Sequence, residues 1–376
     1  MNINNMPKLG FGLMRLPTIG DAPDSPINIP QACKLVDAYM EGGYNYFDTA
    51  YGYHEGQSEG AAKEIVVKRY PRDSFYLATK LPIWNLQSRD DCDKIFNIQL
   101  ERTGAGYFDF YMLHSVEDSN YGAYLKYDCF EWGRQKKAEG KIRHFGFSFH
   151  GSPELLDKLL TEHPELEFAQ IQLNYADWNN PVVQSGGLYE VARRHNAAII
   201  AMEPVKGGML ANTTPEIERL MTAAHPDRSI ASWAMRFVAS LEGVGIILSG
   251  MSNMEQVLDN INTLKGLEPM IDDERDILDK VVEAMATIPT IGCTDCRYCC
   301  KGCPADIAIP EIFKAVNTLR MYGKDMRPHF FYGGLNGGRA KDCIKCGKCD
   351  DICPQHLKVM ELIEEASGIF DTAAVG

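Results

Sequence analysis

Eight cysteines toward the C-terminal end of the sequence form two copies of one pattern, C-x2-C-x2-C-x3-C followed by proline. The first copy begins at Cys293 and ends at Cys303-Pro304, and the second begins at Cys343 and ends at Cys353-Pro354. Three thiolates at this spacing on a curled loop can hold three corners of an iron–sulfur cube. The cysteine before proline lies too far along the turn to close on the same cube, so the pattern predicts two 4Fe–4S clusters.

Two other uses of dense thiols fit the residues less well. A disulfide framework suits a small secreted domain rather than a cytoplasmic chain. Zinc binds paired C-x2-C motifs, but zinc sites do not require the triplet and the Cys-Pro step twice over. Cys300 falls outside the pattern and is expected to be a packed or exposed thiol, and the isolated Cys33, Cys92 and Cys129 are expected to be structural.

The C-terminal region resembles the dicluster 4Fe–4S ferredoxins, in which the fourth cysteine of each motif binds the other cluster. The long gap between the motifs contains IPEIFKAVNTLRMYG, which has a helical pattern, so a mostly helical ferredoxin-like domain is expected. The predicted ligand sets are Cys293, Cys296, Cys299 and Cys353 for one cluster, and Cys343, Cys346, Cys349 and Cys303 for the other.

A second group of residues, in the thiol-poor part, has the chemistry to protonate an oxygen: Asp48, Tyr53, Lys80 and His114. A phenol with a pKa near 10 is a poor acid at neutral pH until a neighbouring ammonium lowers that pKa. Lys80 is expected to do this for Tyr53, with Asp48 holding the lysine charged and aimed. His114 is expected to hydrogen-bond a carbonyl and orient it. Taken singly, each residue also has a structural explanation.

The elements that must position these residues alternate between short apolar runs and helical patterns. Such alternation predicts a parallel sheet, and eight strands predict a closed (β/α)8 TIM barrel with its active site at the C-terminal ends of the strands. An open doubly wound sheet is the alternative, but GFGLMR breaks its glycine fingerprint. The predicted strands are KLGFGLM, YNYFDT, FYLATKL, FDFYMLH, HFGFSF, FAQIQLNY, AAIIAME and VGIILSG.

Composition sets the outer limits of the interpretation. The 376 residues carry a net charge of −13, which argues against nucleic acid as a partner. No signal pattern or apolar run of membrane length is present, so a cytoplasmic protein without membrane partners is expected. The predicted domains are a barrel over 1–271, a connecting helix over 272–289 and an iron–sulfur domain over 290–376.

The motif D-T-A-x-x-Y, which contains Asp48 and Tyr53, resembles the aldo-keto reductase family, and the likeness extends over the strand order. The resemblance implies that Tyr53 is the general acid, that Lys80 and Asp48 tune it, and that His114 orients the carbonyl. It also implies an extended nicotinamide cofactor, NADP(H) or NAD(H), bound without the Rossmann glycines.

The same resemblance assigns the two ends of the cofactor. Phe149 stands in place of the family's asparagine, and an aromatic residue is common where this chain has methionine. After the last strand, Ser252 and Glu255 predict a capping box that opens a phosphate-binding helix. The implied cofactor residues are Ser148, Gln170 and Met202 at the amide end, and Ser252, Gln256, Asp259 and Asn260 near the phosphate and adenosine.

The sequence therefore predicts a nicotinamide-dependent oxidoreductase that interconverts a carbonyl compound and an alcohol. The clusters would serve structure, redox sensing or electron transfer to a partner protein. The competing hypothesis is an iron–sulfur electron-transfer protein in which the barrel is a docking or regulatory module. Hydride moves as an electron pair while a 4Fe–4S cluster accepts one electron, and no flavin motif is present to couple them.

Overall fold

The computed structural model describes residues 3–20, 25–181, 183–293, 297–322, 327–353 and 356–371. The chain divides into two compact units. One unit comprises residues 1–207 and 231–272, and the other comprises residues 208–230 and 273–376.

The first unit contains the predicted parallel barrel. Its eight strands pair in chain order and close, because the first strand pairs with both the second and the last. Closure leaves no sheet edge exposed, and it brings all eight strand C-termini to one mouth. The strands are Leu9–Gly12 (β1), Tyr46–Asp48 (β2), Tyr76–Pro82 (β3), Phe108–Val116 (β4), Ile142–Phe149 (β5), Phe168–Gln172 (β6), Ala198–Met202 (β7) and Val244–Ser249 (β8).

The helices connect these strands and build the second unit. Their ends follow local chemistry: the Ser152 hydroxyl accepts a hydrogen bond from Leu155 N at the start of one helix, and Gly104 ends another with φ of 65°. They are Ile29–Glu41 (α1), Ser58–Ala62 (α2), Asp90–Thr103 (α3), Tyr121–Lys126 (α4), Cys129–Ala138 (α5), Pro153–Glu162 (α6), Ser185–Arg194 (α7), Pro215–Ala224 (α8), Ile230–Ala239 (α9), Met254–Leu264 (α10), Asp272–Thr287 (α11), Tyr298–Lys301 (α12), Ile309–Tyr322 (α13), Arg327–Gly333 (α14), Lys348–Ile352 (α15) and Val359–Phe370 (α16).

The interior of the barrel is filled by every second residue of its strands. Tyr46, Ala78, Phe110, Phe168 and Ile200 belong to one buried cluster. Because side chains alternate across a strand, the residues two positions further along point the same way. The alternation therefore carries polar side chains from the packed interior up to the mouth, where Asp48 follows Tyr46, Lys80 follows Ala78 and Gln170 follows Phe168.

The regular elements described in the second unit are helices, with one parallel bridge between Ile307 and Gly338. The unit contains α8, nearly all of α11 and α12–α16, and it has a small core that includes Ile307, Ile312, Phe313 and Val316. Helix α13 occupies the predicted helical gap between the two cysteine motifs. Nowhere in the described part of the chain is a helix both long and apolar enough to cross a membrane.

Candidate functional site

Lys80 is the centre of the polar cluster at the mouth of the barrel. Its side chain is 1% exposed and lies near the C-terminal end of β3. The ammonium nitrogen donates to Asp48 Oδ1 at 2.6 Å, to the Thr49 carbonyl at 2.8 Å and to Tyr53 Oη at 3.2 Å. All three donor positions of the ammonium are used. The structure therefore brings together three of the four residues predicted to handle the proton.

The loop that carries Tyr53 is held by its own backbone. His54 and Glu55 both adopt the left-handed conformation, with φ of 51° and 53°. The Tyr53 carbonyl accepts hydrogen bonds from Gly56 N and Ser58 N, which closes the turn into α2. His54 Nε2 accepts from Leu16 N at 3.2 Å, so the loop is also tied to the segment after β1. Two consecutive non-glycine residues in the sparsely populated left-handed region indicate backbone strain, which is common in loops at functional sites.

His114 completes the predicted group from the neighbouring strand β4. Its ring centroid lies 6.1 Å from that of Tyr53, with the two rings nearly perpendicular. Its Nδ1 atom is buried and has no hydrogen-bond partner among the described residues. Tyr124 Oη donates to the His114 carbonyl and so fixes the main chain from the other side. The imidazole is therefore placed beside the phenol with one ring nitrogen unengaged.

The electrostatics of the group differ in one respect from the sequence prediction. Burial raises the pKa of Tyr53, the Lys80 ammonium lowers it, and the outcome is a pKa above the ordinary value. The prediction that Lys80 acts to lower the pKa of Tyr53 has the right sign, but the net lowering is wrong because desolvation of the phenolate is the larger effect. Tyr53 is therefore protonated near neutral pH and has a proton to give.

The charges of the two other groups are settled by burial and by their neighbours. Burial alone would lower the pKa of Lys80, but the attraction of Asp48 and hydrogen bonding raise it above its ordinary value, so the ammonium stays charged. Burial lowers the pKa of His114 well below its usual range, and the positive charge of Lys80 adds to the effect. His114 is therefore neutral at pH 7.

Ser148, near the end of β5, and Gln170, in the middle of β6, lie side by side and are paired in register. Both are 2% exposed. Ser148 Oγ accepts from Ser115 N at 2.8 Å, which leaves its proton available to an acceptor. Gln170 Oε1 is buried without a hydrogen-bond partner among the described residues. A hydroxyl donor beside an unpaired carbonyl acceptor fits a carboxamide, and Phe149, which is buried in the barrel wall, adds no polar atom to it.

The helix after β8 starts one residue later than a capping box at Ser252 and Glu255 requires. The N-cap of α10 is Asn253, whose Oδ1 accepts from Gln256 N at 2.9 Å. Gln256 Oε1 in turn accepts from Ser252 N at 2.7 Å. The capping prediction was therefore wrong in register, because asparagine caps as well as serine does and glutamine supplies the return bond.

The remaining residues predicted for the adenosine end are distributed over α10. Gln256 is exposed, Asp259 is half-buried, and Asn260 is 5% exposed. Asn260 Nδ2 donates to Ser249 Oγ at 2.9 Å, which ties the helix to the end of β8. Ser252 Oγ donates to the Arg15 carbonyl at 2.7 Å. The structure therefore places Gln256 toward solvent, while Asn260 is engaged with the barrel.

Three residues at the mouth were missed by sequence reasoning. Trp84 follows β3 on a short turn, is 59% exposed, and places its ring centroid 4.9 Å from that of His114. Glu203, directly after Met202, has φ of 56° and raises the pKa of Tyr53 through its negative charge. His150 follows β5, and its charge lowers the pKa of His114. The only sequence signal for them was their position after a strand end.

In the second unit, the two cysteine motifs share one local structure around their third cysteine. The third cysteine of each motif lies in a short helix, Cys299 in α12 and Cys349 in α15. Each helix is preceded by a residue in the left-handed region, with φ of 61° at Arg297 and 76° at Gly347. The same turn therefore precedes the third cysteine of both motifs. Cys296 and Pro354, which belong to the predicted pattern, lie outside the described residues.

A small cavity lies between the motifs. Its lining includes Cys343, Cys346 and Cys349 of the second motif together with Cys303 of the first. The other side chains around it are mostly apolar, among them Ile307 and Ile363. Within the described residues, no three His, Cys, Asp or Glu side chains converge closely enough to hold a single metal ion. Thiols from both motifs therefore line the same cavity.

The third thiol of each motif is protonated in the absence of a metal. Burial raises the pKa of Cys349 to about 11, and the negative charge of Asp350 adds to the effect. Burial likewise raises the pKa of Cys299 to about 12, with the neighbouring Cys300 thiol adding to it. A bound cluster needs thiolates, so its assembly must release these protons. The mostly apolar surroundings fit an iron–sulfur cluster, because its iron ions supply the positive charge that balances the thiolates.

The comparisons with known proteins agree with this geometry. The aldo/keto reductase family model matches residues 8–283, and a 4Fe-4S dicluster domain model matches residues 292–357. This chain belongs to the aldo/keto reductase family and adds a 4Fe-4S domain to it. Among curated proteins, it is 26% identical over 272 residues to an aldo-keto reductase of Mycolicibacterium smegmatis, which spans 72% of this chain and 85% of that one.

Solved structures share the barrel. An aldo-keto reductase of Klebsiella pneumoniae in complex with NADPH superposes with a TM-score of 0.59 at 21% identity, covering 74% of this chain and 91% of that chain. The holo form of an aldo-keto reductase of Bacillus halodurans superposes with a TM-score of 0.58 at 22% identity, covering 73% and 91%. At this identity the likeness is one of fold.

Proposed function

We propose that this chain interconverts a small carbonyl compound and an alcohol with a nicotinamide cofactor. The observation that carries the proposal is the Lys80 ammonium, which donates to both Asp48 and Tyr53 at the mouth of the barrel. A general acid that is exposed to solvent does not need a buried ion pair such as Lys80 and Asp48. The pair is useful when a phenol must release a proton and then exist briefly as a phenolate, because the fixed positive charge stabilises that state.

Each residue has one task in the proposed reaction. The bound dihydronicotinamide would supply hydride to the carbonyl carbon. Tyr53 gives its proton to the carbonyl oxygen, so the carbonyl gains one hydride and one proton and becomes an alcohol. Lys80 stabilises the phenolate that remains, and Asp48 keeps Lys80 charged and aimed. Neutral His114 orients the carbonyl by hydrogen bonding, since burial keeps it from carrying a competing charge.

The residues predicted from the sequence would bind the two ends of the cofactor. Ser148 and Gln170 would hold the carboxamide, with Met202 against the ring, and Ser252, Gln256, Asp259 and Asn260 would meet the phosphate and adenosine. The unpaired Gln170 Oε1 supports this assignment, because a carboxamide supplies the missing donor. The NADPH bound by the Klebsiella pneumoniae relative favours NADP(H) over NAD(H) here.

We also propose two 4Fe–4S clusters in the second unit, with crossed ligands. Cys343, Cys346 and Cys349 with Cys303 would hold one cluster, in agreement with the cavity that these residues line. Cys293, Cys296, Cys299 and Cys353 would hold the other. In a cytoplasmic protein, the clusters would stabilise the fold, sense the redox state or exchange single electrons with a redox partner protein.

The experiment that tests the enzyme is Tyr53→Phe in the holoprotein, purified anaerobically and assayed with an aldehyde panel and NADPH. The turnover number should fall by about 100-fold or more, with NADPH affinity unchanged, because a positioned acid is worth that much. Tyr51→Phe, on the same loop, is the matched control and should retain wild-type turnover. Full activity of Tyr53→Phe would refute the mechanism.

The second candidate function, electron transfer with the barrel as a docking module, is favoured by the four-thiol cavity alone. It predicts that the clusters exchange electrons while no carbonyl compound is reduced. The same preparations distinguish the two: cluster absorbance is followed during NADPH oxidation with and without aldehyde. Aldehyde-dependent NADPH oxidation at constant cluster absorbance supports the reductase.

A further inference from the structure

A buried polar network lies behind Lys80, on the outer face of β3 toward helices α2 and α3. Glu59, in α2, is fully buried, and so are Thr79 and Gln99. Glu59 Oε1 accepts from Thr79 Oγ1 at 2.8 Å and from Gln99 Nε2 at 2.7 Å. Its other oxygen, Oε2, pairs with Arg102 at 3.3 Å. A buried carboxylate is costly unless it is paired and hydrogen-bonded, so this network is a specific feature of the fold.

The network reaches the proton-handling group through the main chain. Gln99 Nε2 also donates to the carbonyl of Lys80 at 3.0 Å. The other end of the Gln99 amide is occupied as well, since Oε1 accepts from Tyr111 Oη at 2.6 Å. The orientation of the amide is thereby fixed, and its donor points at the residue whose side chain contacts Tyr53.

The residue next to Glu59 is Ser58, which contacts the first residue after the adjacent strand β2. Ser58 Oγ lies 2.8 Å from Thr49 Oγ1, and the Thr49 carbonyl accepts from Lys80 Nζ. Two consecutive residues at the start of α2 therefore act on Lys80, one near its ammonium group and the other near its backbone. Ser58 fixes the carbonyl to which the ammonium points, and Glu59 fixes the backbone from which the side chain starts.

We propose that Glu59 is a positioning residue for the reaction: acting through Thr79 and Gln99, it sets the distance between the Lys80 ammonium and the Tyr53 hydroxyl. This inference rests on the proposed function of Tyr53. A shift of a fraction of an ångström matters here, since catalysis by a preorganised charge depends steeply on geometry.

The effect must pass through geometry rather than through the charge of Glu59. The groups that act on Tyr53 are Lys80 of β3, Asp48 of β2 and Glu203 after β7, with the neutral His114 of β4 beside it. Glu59 itself is faced by Arg102 of α3 and by uncharged hydrogen-bond donors. Neutralising Glu59 therefore alters Tyr53 by displacing Lys80.

The test is Glu59→Gln in the holoprotein, with nitrobenzaldehyde as the probe for reduction and the corresponding alcohol for oxidation. Glutamine has the same shape but presents an NH2 group to Arg102 or to the Gln99 donor. We expect kcat to fall about 10-fold with KM and NADPH affinity nearly unchanged. Since Lys80 would lower the pKa of Tyr53 less, the pH midpoint for alcohol oxidation should move upward.

Asp109→Asn is the matched control. Asp109 is equally buried and holds the start of β3, where its Oδ2 accepts from Leu77 N at 3.0 Å. The Asp109→Asn variant should have a lower melting temperature than the wild type but the same pH midpoint for alcohol oxidation. Thr79→Val, which removes one of the two bonds to Glu59 Oε1, is the second variant and should shift the midpoint in the same direction.

The outcomes are distinguishable. If Tyr53→Phe is inactive while Glu59→Gln and Thr79→Val keep the wild-type kcat and pH midpoint per folded molecule, Glu59 is structural only. A pH midpoint that moves equally in Asp109→Asn also shows that Glu59 has no specific positioning role. If Tyr53→Phe is fully active, the proposed function itself fails. Folded protein is counted by NADPH fluorescence titration, so that loss of stability is not mistaken for loss of turnover.

Discussion

The Lys80 ammonium lies 3.2 Å from the Tyr53 hydroxyl at the top of the barrel, where Lys80 is buried and Tyr53 is half-buried. At this distance the positive charge acts directly on the phenol. Lys80 comes from a strand and Tyr53 from a strained loop, so the distance between them depends on both elements. Changes to either residue should therefore be separable into effects on charge and effects on folding.

Lys80→Met should lower kcat for carbonyl reduction by about 100-fold or more, because the phenolate left on Tyr53 loses its counter-charge. It should also cost about 3–5 kcal/mol of stability, since Asp48 remains as an unpaired buried charge. The double variant Asp48→Asn with Lys80→Met should regain stability without regaining activity. Denaturant unfolding and steady-state kinetics check this, and recovery of activity in the double variant would contradict it.

His114 should make the protein less stable in acid. Its folded-state pKa lies well below its ordinary value, so the unfolded chain binds the proton more readily as the pH falls below about 6.5. Stability is therefore lost from that pH downward, and His114→Gln should lose less between pH 7 and pH 5 than the wild type. Parallel thermal melts measure this. Equal losses in both proteins would show that His114 is not held neutral.

Gln256→Arg should shift cofactor preference toward NADPH, because arginine forms bidentate bonds with phosphate. The side chain is exposed, so the substitution needs no repacking, although it removes the bond that Ser252 N donates to Gln256 Oε1. Leu258→Arg adds the same charge at another exposed position of α10 and serves as the control. The ratio of kcat/KM for NADPH and NADH is measured. An identical shift in the control would assign the effect to net charge.

Cys303→Ser should disturb the cluster of the second motif, although that motif begins only at Cys343, and leave the Cys293 cluster comparatively intact. The reason is that Cys303 lines the same cavity as Cys343, Cys346 and Cys349. Iron and sulfide assays with EPR of the reduced protein distinguish the two clusters. Cys300→Ser, which changes the neighbouring spare thiol, should keep about eight irons per chain, four for each cubic cluster. Loss of iron in that control, or about half that iron content in the wild type, would overturn the assignment.

The barrel and its proton-handling residues were predictable because both depend on local patterns. Eight apolar runs with helical connections allow few closed arrangements. Once the barrel is assumed, Asp48, Lys80 and His114 follow from their places at strand ends, and the structure places them at one mouth as expected. Tyr53 was found through its motif rather than through its backbone conformation.

What could not be predicted depends on contacts between segments far apart in sequence. Glu59 shows no chemical pattern with Gln99, and their bond exists only because α2 and α3 pack on β3. Cys92 and Cys129 likewise stand alone in the sequence, yet their sulfur atoms lie 4.0 Å apart and fully buried. The cap of α10 was shifted by one residue, because Ser252 and Asn253 have similar capping strength and only the tertiary structure decides between them.

Closure of the barrel through the pairing of β1 with β8 also bears on how the chain is made. The last strand, which ends at Ser249, leaves the ribosome before the first cysteine of the thiol-rich region at Cys293. Domains fold in order of synthesis when they can. The barrel strands can therefore pair before any cluster ligand is exposed, and translation in iron-starved cells should still yield chains that retain NADPH affinity while lacking iron.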